Sequence, residues 1–344
     1  MAQIDKPNLH FNTKLYTGNA GTQAITGVGF QPDWIWFKMR SHADNHVAID
    51  AIRGTNKAVY PDTQGTETTQ THYFTSFDSD GYTLGNSGIM NASGRTYASW
   101  NWKGAGSTSA NSDGATNSTV SVNATAKFSI VSYVGTGSQT TVGHGLGAIP
   151  DVIFVKNRDT TEDWSVYHSA NGAGYYQAIN TTEAKQTNNN RFNVAPTSSV
   201  FTVNTHHSVN KSGDNIIAYC FASKKGYSKF GIYTGNGNTD GTFVYTGFKP
   251  AFVIYKGRSG ANATDNWEMA DNKRSLYNGV ENVLYPNLNN AEGTGVTTRM
   301  DLLSNGFKIR TGSSDYNGNG QTYIYMAFAE NPIVGSNNIP TVAR

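Results

Sequence analysis

Apolar residues in this chain fall in short runs broken by Gly, Asn or Asp, and the runs are of two kinds. In the first, apolar and polar positions alternate directly after an Asx-Gly pair. Tyr82-Thr83-Leu84 follows Asp80-Gly81, and Phe307-Lys308-Ile309 follows Asn305-Gly306. An Asx-Gly step readily takes the dihedrals of a tight hairpin turn, so these runs are predicted to be hairpin strands. In the second kind the apolar residues are consecutive. Trp34-Ile35-Trp36-Phe37, Val152-Ile153-Phe154-Val155 and Phe252-Val253-Ile254-Tyr255 each begin two residues after a proline, at Pro32, Pro150 and Pro250. Successive strand residues point to opposite faces, so an uninterrupted apolar run predicts a central strand covered on both. Proline at the entry to such a strand sacrifices no ladder hydrogen bond.

The Pro-led run belongs to a longer repeat, recurring first 118 and then 100 residues on. Upstream of it each copy has a strand ending in a glycine turn: Leu15-Tyr16-Thr17-Gly18, Ser132-Tyr133-Val134-Gly135 and Ile232-Tyr233-Thr234-Gly235. Downstream come Asp44-Asn45-His46, Glu162-Asp163-Trp164 and Asp265-Asn266-Trp267. Near the end stand Asn91-Ala92-Ser93-Gly94, Asn210-Lys211-Ser212-Gly213 and Asn317-Gly318-Asn319-Gly320, each leading into a closing strand near Trp100, Phe221 or Phe328. Matched blocks in one order predict three copies of one unit, each with about eight short strands. The fold class expected is all-β: three tandem antiparallel β-sandwich domains of jelly-roll or lectin-like type. A propeller is set aside, because it needs about four to eight blades of roughly 40–50 residues.

The predicted boundaries are an N-terminal arm at 1–13, a first repeat at 14–103, a flexible linker at 104–126, a second repeat at 127–226, and a third repeat with a C-terminal tail at 227–344. The linker assignment rests on the Gly, Ser, Ala, Asn and Thr of that stretch. Repeats two and three meet at Lys224-Lys225-Gly226-Tyr227 with almost no spacer. The units are therefore expected to stack end to end, two of them tightly and the first more independently.

Composition agrees with short strands. The chain has 37 Gly, 19 Tyr and 16 Phe in 344 residues, and only 15% charged residues. A helical bundle would need more Glu and Lys on its exposed faces. The net charge of +2 offers no electrostatic footprint for nucleic acid. No apolar run approaches the length of a membrane helix, and the opening Met-Ala-Gln-Ile-Asp-Lys lacks the regions of a secretory signal, so synthesis in the cytoplasm is expected. The single cysteine, Cys220, excludes an intrachain disulfide and lies in an apolar run where it reads as a small buried hydrophobe.

Candidate chemistry is sparse. There is no phosphate-cradling loop, nucleophile elbow or HExxH helix. His206-His207, if on a strand, point to opposite faces and cannot chelate one ion together. Residues 236–241 and 315–320 resemble the first half of a calcium loop, but their twelfth positions are Gly247 and Met326 in place of a bidentate Glu. No cofactor is expected; calcium is the one ion these turns could suggest. The acids recur at equivalent turn positions, unlike a catalytic pair, and no enzymatic activity is expected. Trp164, Trp267 and the matching His46 are the candidate ligand-binding residues, as platforms for sugar rings.

Two long strings carry a resemblance. Residues 128–168, FSIVSYVGTGSQTTVGHGLGAIPDVIFVKNRDTTEDWSVYH, and residues 226–259, GYSKFGIYTGNGNTDGTFVYTGFKPAFVIYKGRS, with LLSNGFKIR and TYIYMAFAENP beyond, resemble a repeat carried by virion proteins of marine tailed bacteriophages, notably those infecting cyanobacteria. The resemblance implies a virion structural protein, surface-exposed in a tail fibre or tail appendage and contributing to host attachment. Capsid decoration and lectin-like glycan binding stay open as alternatives. The partners implied are other virion proteins, a host cell-surface glycan and further copies of the chain in a homo-oligomer, with neither nucleic acid nor membrane insertion. The family supplies no catalytic residues.

Overall fold

A computed structural model describes residues 3–259, 265–275, 279–293 and 298–330. Among these the fold is all-β, with one 3-10 turn at Pro7–Leu9 and three four-residue helices. Each repeat builds a principal antiparallel sheet with the same core order. An opening strand (Phe11–Thr17, Phe128–Val134 or Ser228–Thr234) pairs with the closing strand (Thr96–Trp102, Asn215–Phe221 or Thr322–Phe328). The closing strand then pairs with the Pro-led strand (Trp34–Met39, Val152–Asn157 or Phe252–Ser259), which pairs in turn with Val47–Asp50, Ser165–His168 or Glu268–Asp271. Behind each lies a smaller sheet: Gln23–Thr26 with Gly81–Leu84 and Phe74–Asp78; Thr140–Gly143 with Val200–Val203; and Phe243–Tyr245 with Gly306–Ile309, Met300–Leu303 and Gly279–Val280. A separate core fills each pair of layers: Ile35, Phe37, Tyr82 and Leu84 in the first, Ile153, Val155 and Phe201 in the second, and Val253, Tyr323 and Phe307 in the third.

The Pro-led strands are buried along both faces, as their apolar runs predict. The second face is covered by the other repeats. Trp34, Trp36, Trp100 and Trp102 of repeat one, Phe154, Tyr219 and Phe221 of repeat two, and Phe252, Met326 and Phe328 of repeat three belong to one continuous core. Its centre is a triangle of equivalent residues at the ends of the closing strands. Ring centroids are 6.3 Å apart for Trp102–Phe221, 5.7 Å for Phe221–Phe328 and 5.6 Å for Trp102–Phe328, with interplanar angles of 65°, 69° and 76°. Each ring thus meets its neighbours edge to face, an arrangement worth about 0.5–1.5 kcal/mol per pair beyond area burial.

This corrects the expected end-to-end stack and the independently placed first repeat. Two apolar faces per sheet need two covers, and three sheets supply each other's second cover by facing a common centre. The flexible linker is also corrected. Residues 104–126 contain the strands Ser109–Asn111 and Ser118–Asn123, and the latter pairs along the opening strand of repeat two from Ser118–Tyr133 to Asn123–Phe128. Its Ser, Thr and Val alternation suits an added strand; the Gly/Ser-rich composition concealed that. The N-terminal arm is anchored as well: Ile4 N–H donates to Lys225 O at 3.0 Å, and His10 packs edge to face on Tyr227.

Candidate functional site

The residues the repeats hold in common converge on the faces where one repeat meets the next. Arg40, Arg158 and Arg258 end the three Pro-led strands. Arg40 binds Glu292 of repeat three at 2.7 Å, Arg158 binds Glu67 of repeat one at 2.8 Å, and Arg258 donates to Asn171 of repeat two at 2.9 Å. One thus reaches three, two reaches one and three reaches two. Contacts that return to their start after three steps close a ring, the heterologous geometry that subunits of a cyclic trimer use.

Two of the three faces hold a buried ionic network of the same design. Between repeats one and two, Arg53 Nε donates to Asp50 Oδ2 at 2.5 Å and its Nη1 approaches Glu67 at 3.3 Å; Tyr219 of repeat two adds its hydroxyl to Asp50 at 2.7 Å. Between repeats three and one, Arg274 Nε donates to Asp271 at 2.5 Å and Nη1 to Glu292 at 2.9 Å, while Trp100 Nε1 donates to Asp271 at 3.1 Å. The side chains of both Asp–Arg pairs are fully excluded from solvent. Burial opposes the guanidinium charge, but Asp50, Tyr219 and Glu67 raise the pKa of Arg53, and Asp271 and Glu292 do the same for Arg274. The third face departs as a set. His168 and Asn171 replace the Asp–Arg pair, Met326 replaces the aromatic donor, and Lys185 takes the place of the glutamate. His168 Nδ1 accepts from Ala170 N–H at 3.1 Å, so Nε2 carries the proton and donates to Tyr325 O at 3.3 Å. Burial, the largest influence, lowers the His168 pKa to about 4. A face without a buried carboxylate thus also lacks the buried guanidinium and the aromatic donor that would satisfy one.

Trp164, Trp267 and His46 do occupy equivalent positions, but they are not sugar platforms. Their relative exposures are 2%, 1% and 0%, which leaves no ring face for a ligand. Each fastens its repeat to the next. Trp164 Nε1 donates to Tyr60 O at 3.0 Å and Trp267 Nε1 to Ala178 O at 2.8 Å. His46 Nδ1 accepts from Trp36 Nε1 at 2.8 Å, which fixes the tautomer and leaves Nε2–H to donate to Tyr285 O at 3.0 Å. An aromatic N–H reaching a neighbouring carbonyl is the common element. Sequence alignment found the position, but only the packing of the three sheets shows its direction.

A second recurring device holds each glycine turn. The asparagine that ends the short helix before each closing strand, Asn91, Asn210 or Asn317, is fully buried. Its Oδ1 accepts from Asn19, Thr136 or Asn236 N–H at 2.9, 2.7 or 3.0 Å. Its Nδ2 donates to Gly21, Ser138 or Asn238 O at 2.6, 2.6 or 2.8 Å. Tyr16, Tyr133 and Tyr233 hydroxyls donate to the helix carbonyls of Met90, Val209 and Tyr316. At Gly135 a Cβ would run into the Lys211 carbonyl oxygen, so the close approach requires glycine.

The remaining candidates are engaged in the same way. His206 and His207 lie at the start of a helix rather than on a strand. His206 Nδ1 accepts from Ser208 N–H at 3.1 Å and stands 2.8 Å from Ser208 Oγ, which suggests a base beside a nucleophile. The other ring nitrogen, however, faces the Arg191 guanidinium at 3.5 Å, where a catalytic dyad would place a carboxylate. Burial first, and then Arg191 and His207, lower the His206 pKa to about 4. In the calcium-like turn, Asn236 Oδ1 accepts from Asn238 N–H, Asn238 Oδ1 from Asp240 N–H, and Asp240 pairs with Lys308 at 2.9 Å. Among the described residues no three His, Cys, Asp or Glu side chains come together as metal ligands.

One family model spans residues 6–332 without a break: a domain of unknown function, DUF7483. The chain belongs to the DUF7483 family. The match runs through all three repeats and the strands between them, as it should if they form one unit. No curated protein and no solved structure matches the chain.

Proposed function

We propose that this DUF7483 chain is a structural protein of a phage particle, a surface-exposed tail-fibre or tail-appendage component that contributes to host attachment. Each repeat is read as a lectin-like β-sandwich, and the three together as an intramolecular counterpart of a trimer. One observation supports this reading above the others: the recurring side chains are invested in joining repeat to repeat. The Arg bridges and the Trp and His fasteners hold a body with one shared aromatic core, while the Asn clamps fix a glycine turn inside each repeat. Such a body gains resistance to unfolding from packing, with its lone cysteine buried and unavailable for a disulfide. The ring arrangement also favours a second location, the capsid, because a body with three-fold character fits a local three-fold position of a shell as well as the axis of a fibre.

The test is labelling of purified particles with an antibody raised against the recombinant chain, paired with mass spectrometry of the same particles. Label on tail or head with matching peptides is the expected result. Particles free of both label and peptides overturn the proposal.

A further inference from the structure

The three repeats differ most at one edge, and the difference identifies a docking surface. In repeat two, one extended segment closes the open side of both sheets. Thr116 N–H donates to Thr141 O at 2.9 Å and Ser118 Oγ to Gly143 O at 2.8 Å along the smaller sheet. The same segment then runs as Ser118–Asn123 along the opening strand, with Val120 entering the core between the layers. In repeat one the corresponding side carries small residues, Ala24 and Thr26, and the Lys273–Glu330 pair, 2.7 Å apart, lines one shallow cavity with Thr13 and Leu15 of the opening strand. Repeat three has neither device among the described residues. Its opening strand Ser228–Thr234 and its strand Phe243–Tyr245 are both sheet edges.

This uncovered side is also where large apolar groups reach solvent. By strand register Phe243 and Tyr245 occupy the positions of Thr141 and Gly143 in repeat two and of Ala24 and Thr26 in repeat one. They are 43% and 59% exposed, and Ile232 on the adjoining edge is 47% exposed. Lys229 lies over the Tyr245 ring, 5.6 Å from its centroid. An unpaired edge with aromatic side chains is a template for another strand, and proteins ordinarily blunt such edges unless they use them.

We propose that the open side of repeat three binds an extended strand of another protein by β-augmentation. The chemistry of the occupant follows from repeat two. It is a segment of alternating Ser or Thr with Val, like 118–123, that pairs its backbone along Gly231–Tyr233, beyond the Lys224–Ser228 bridge and the Phe230 N–H that donates to Ser223 Oγ, and directs its β-branched side chains between the layers above Tyr233 and Val244. Past that pairing the occupant packs beside the Phe243 and Tyr245 rings and not over them, because the repeat-two segment lies against Gly143, where even a Cβ would collide with Asn111 Oδ1. This inference is independent of the particle assignment, because it concerns only what the edge accepts.

The experiment uses the full chain and a fluorescent synthetic peptide of residues 105–125 as the probe, followed by anisotropy. Saturable binding is expected, weakened at least about tenfold by F243D/Y245D and unchanged by A24D/T26D, the matching positions of repeat one. Circular dichroism and the unfolding midpoint of both variants must match the native chain. Absence of binding up to about 1 mM, or binding indifferent to F243D/Y245D, overturns the proposal. So does binding that appears only after deletion of 331–344, which assigns the edge to the chain's own tail. Dimerisation in sedimentation that F243D/Y245D abolishes, without peptide binding, assigns it to a second copy and also overturns it.

Discussion

Replacing Arg53 with Met tests whether the repeats are one folding unit. Its guanidinium is fully buried and donates to Asp50 at 2.5 Å, to Ala48 O at 3.0 Å and to Tyr219 of repeat two at 3.3 Å. Methionine retains much of the volume but leaves the Asp50 carboxylate buried with only the Ile52 and Arg53 backbone N–H groups and the Tyr219 hydroxyl. Breaking a buried pair by removing one partner costs about 3–5 kcal/mol, and neither group is solvent-exposed, so no screening discount applies. That is about a fifth or more of the roughly 5–15 kcal/mol that holds a typical protein folded. The assay is urea unfolding followed by Trp fluorescence. A single transition is expected to move as a whole, because the tryptophans of repeats one, two and three share the affected core. The triple variant D50H/R53N/Y219M copies the polar set of the third face and should recover part of the loss. A shift below about 1 kcal/mol, or a native-like second transition left behind by a selectively melted first repeat, would refute the argument for a shared core.

The clamp predicts that Asn210→Ala, which strips partners from Thr136 N–H and Ser138 O, costs about 2–5 kcal/mol in the same assay; a loss within about 0.5 kcal/mol would contradict it. Burial holds His168 neutral, with its pKa lowered to about 4 from 6.5. Between those values the unfolded chain binds more protons than the fold, so this residue's contribution is lost as pH falls through that window. His168→Gln should therefore lose less stability than the native chain between pH 7 and about 4.5, and parallel midpoints across that range would dismiss the effect. Glycan arrays should show no signal that depends on Trp164, Trp267 or His46, while Trp164→Ala should lower the unfolding midpoint by breaking a repeat-to-repeat contact. Cys220, whose pKa burial pushes up, should stay unreactive toward a thiol reagent until the protein unfolds, and rapid native labelling would show the strand to be open.

Much of the local architecture was legible. The consecutive apolar residues after Pro32, Pro150 and Pro250 require strands with two covered faces, and those apolar runs are buried throughout. Asp80-Gly81 and Asn305-Gly306 mark the turns that launch Gly81–Leu84 and Gly306–Ile309. Strand period and turn chemistry act over a few residues, so the chain carries them openly. The aromatic residue of the Trp164, Trp267 and His46 block was also visible, though its purpose was not. A side chain that must be apolar and must donate one hydrogen bond looks the same in sequence whether its partner is a sugar or a carbonyl of the next repeat.

By itself, then, the sequence determined three copies of one β unit, the strands within each and the double-sided burial of their central strands. Only the tertiary structure decided what covers the second face. An apolar face is satisfied by any complementary apolar surface, and nothing local states whether that surface comes from solvent-side loops, another chain or a sister repeat. The closure of three repeats into a ring follows from that choice, while the edge strand within residues 104–126 and the exposure of Phe243 and Tyr245 depend on long-range strand pairing that no local pattern states.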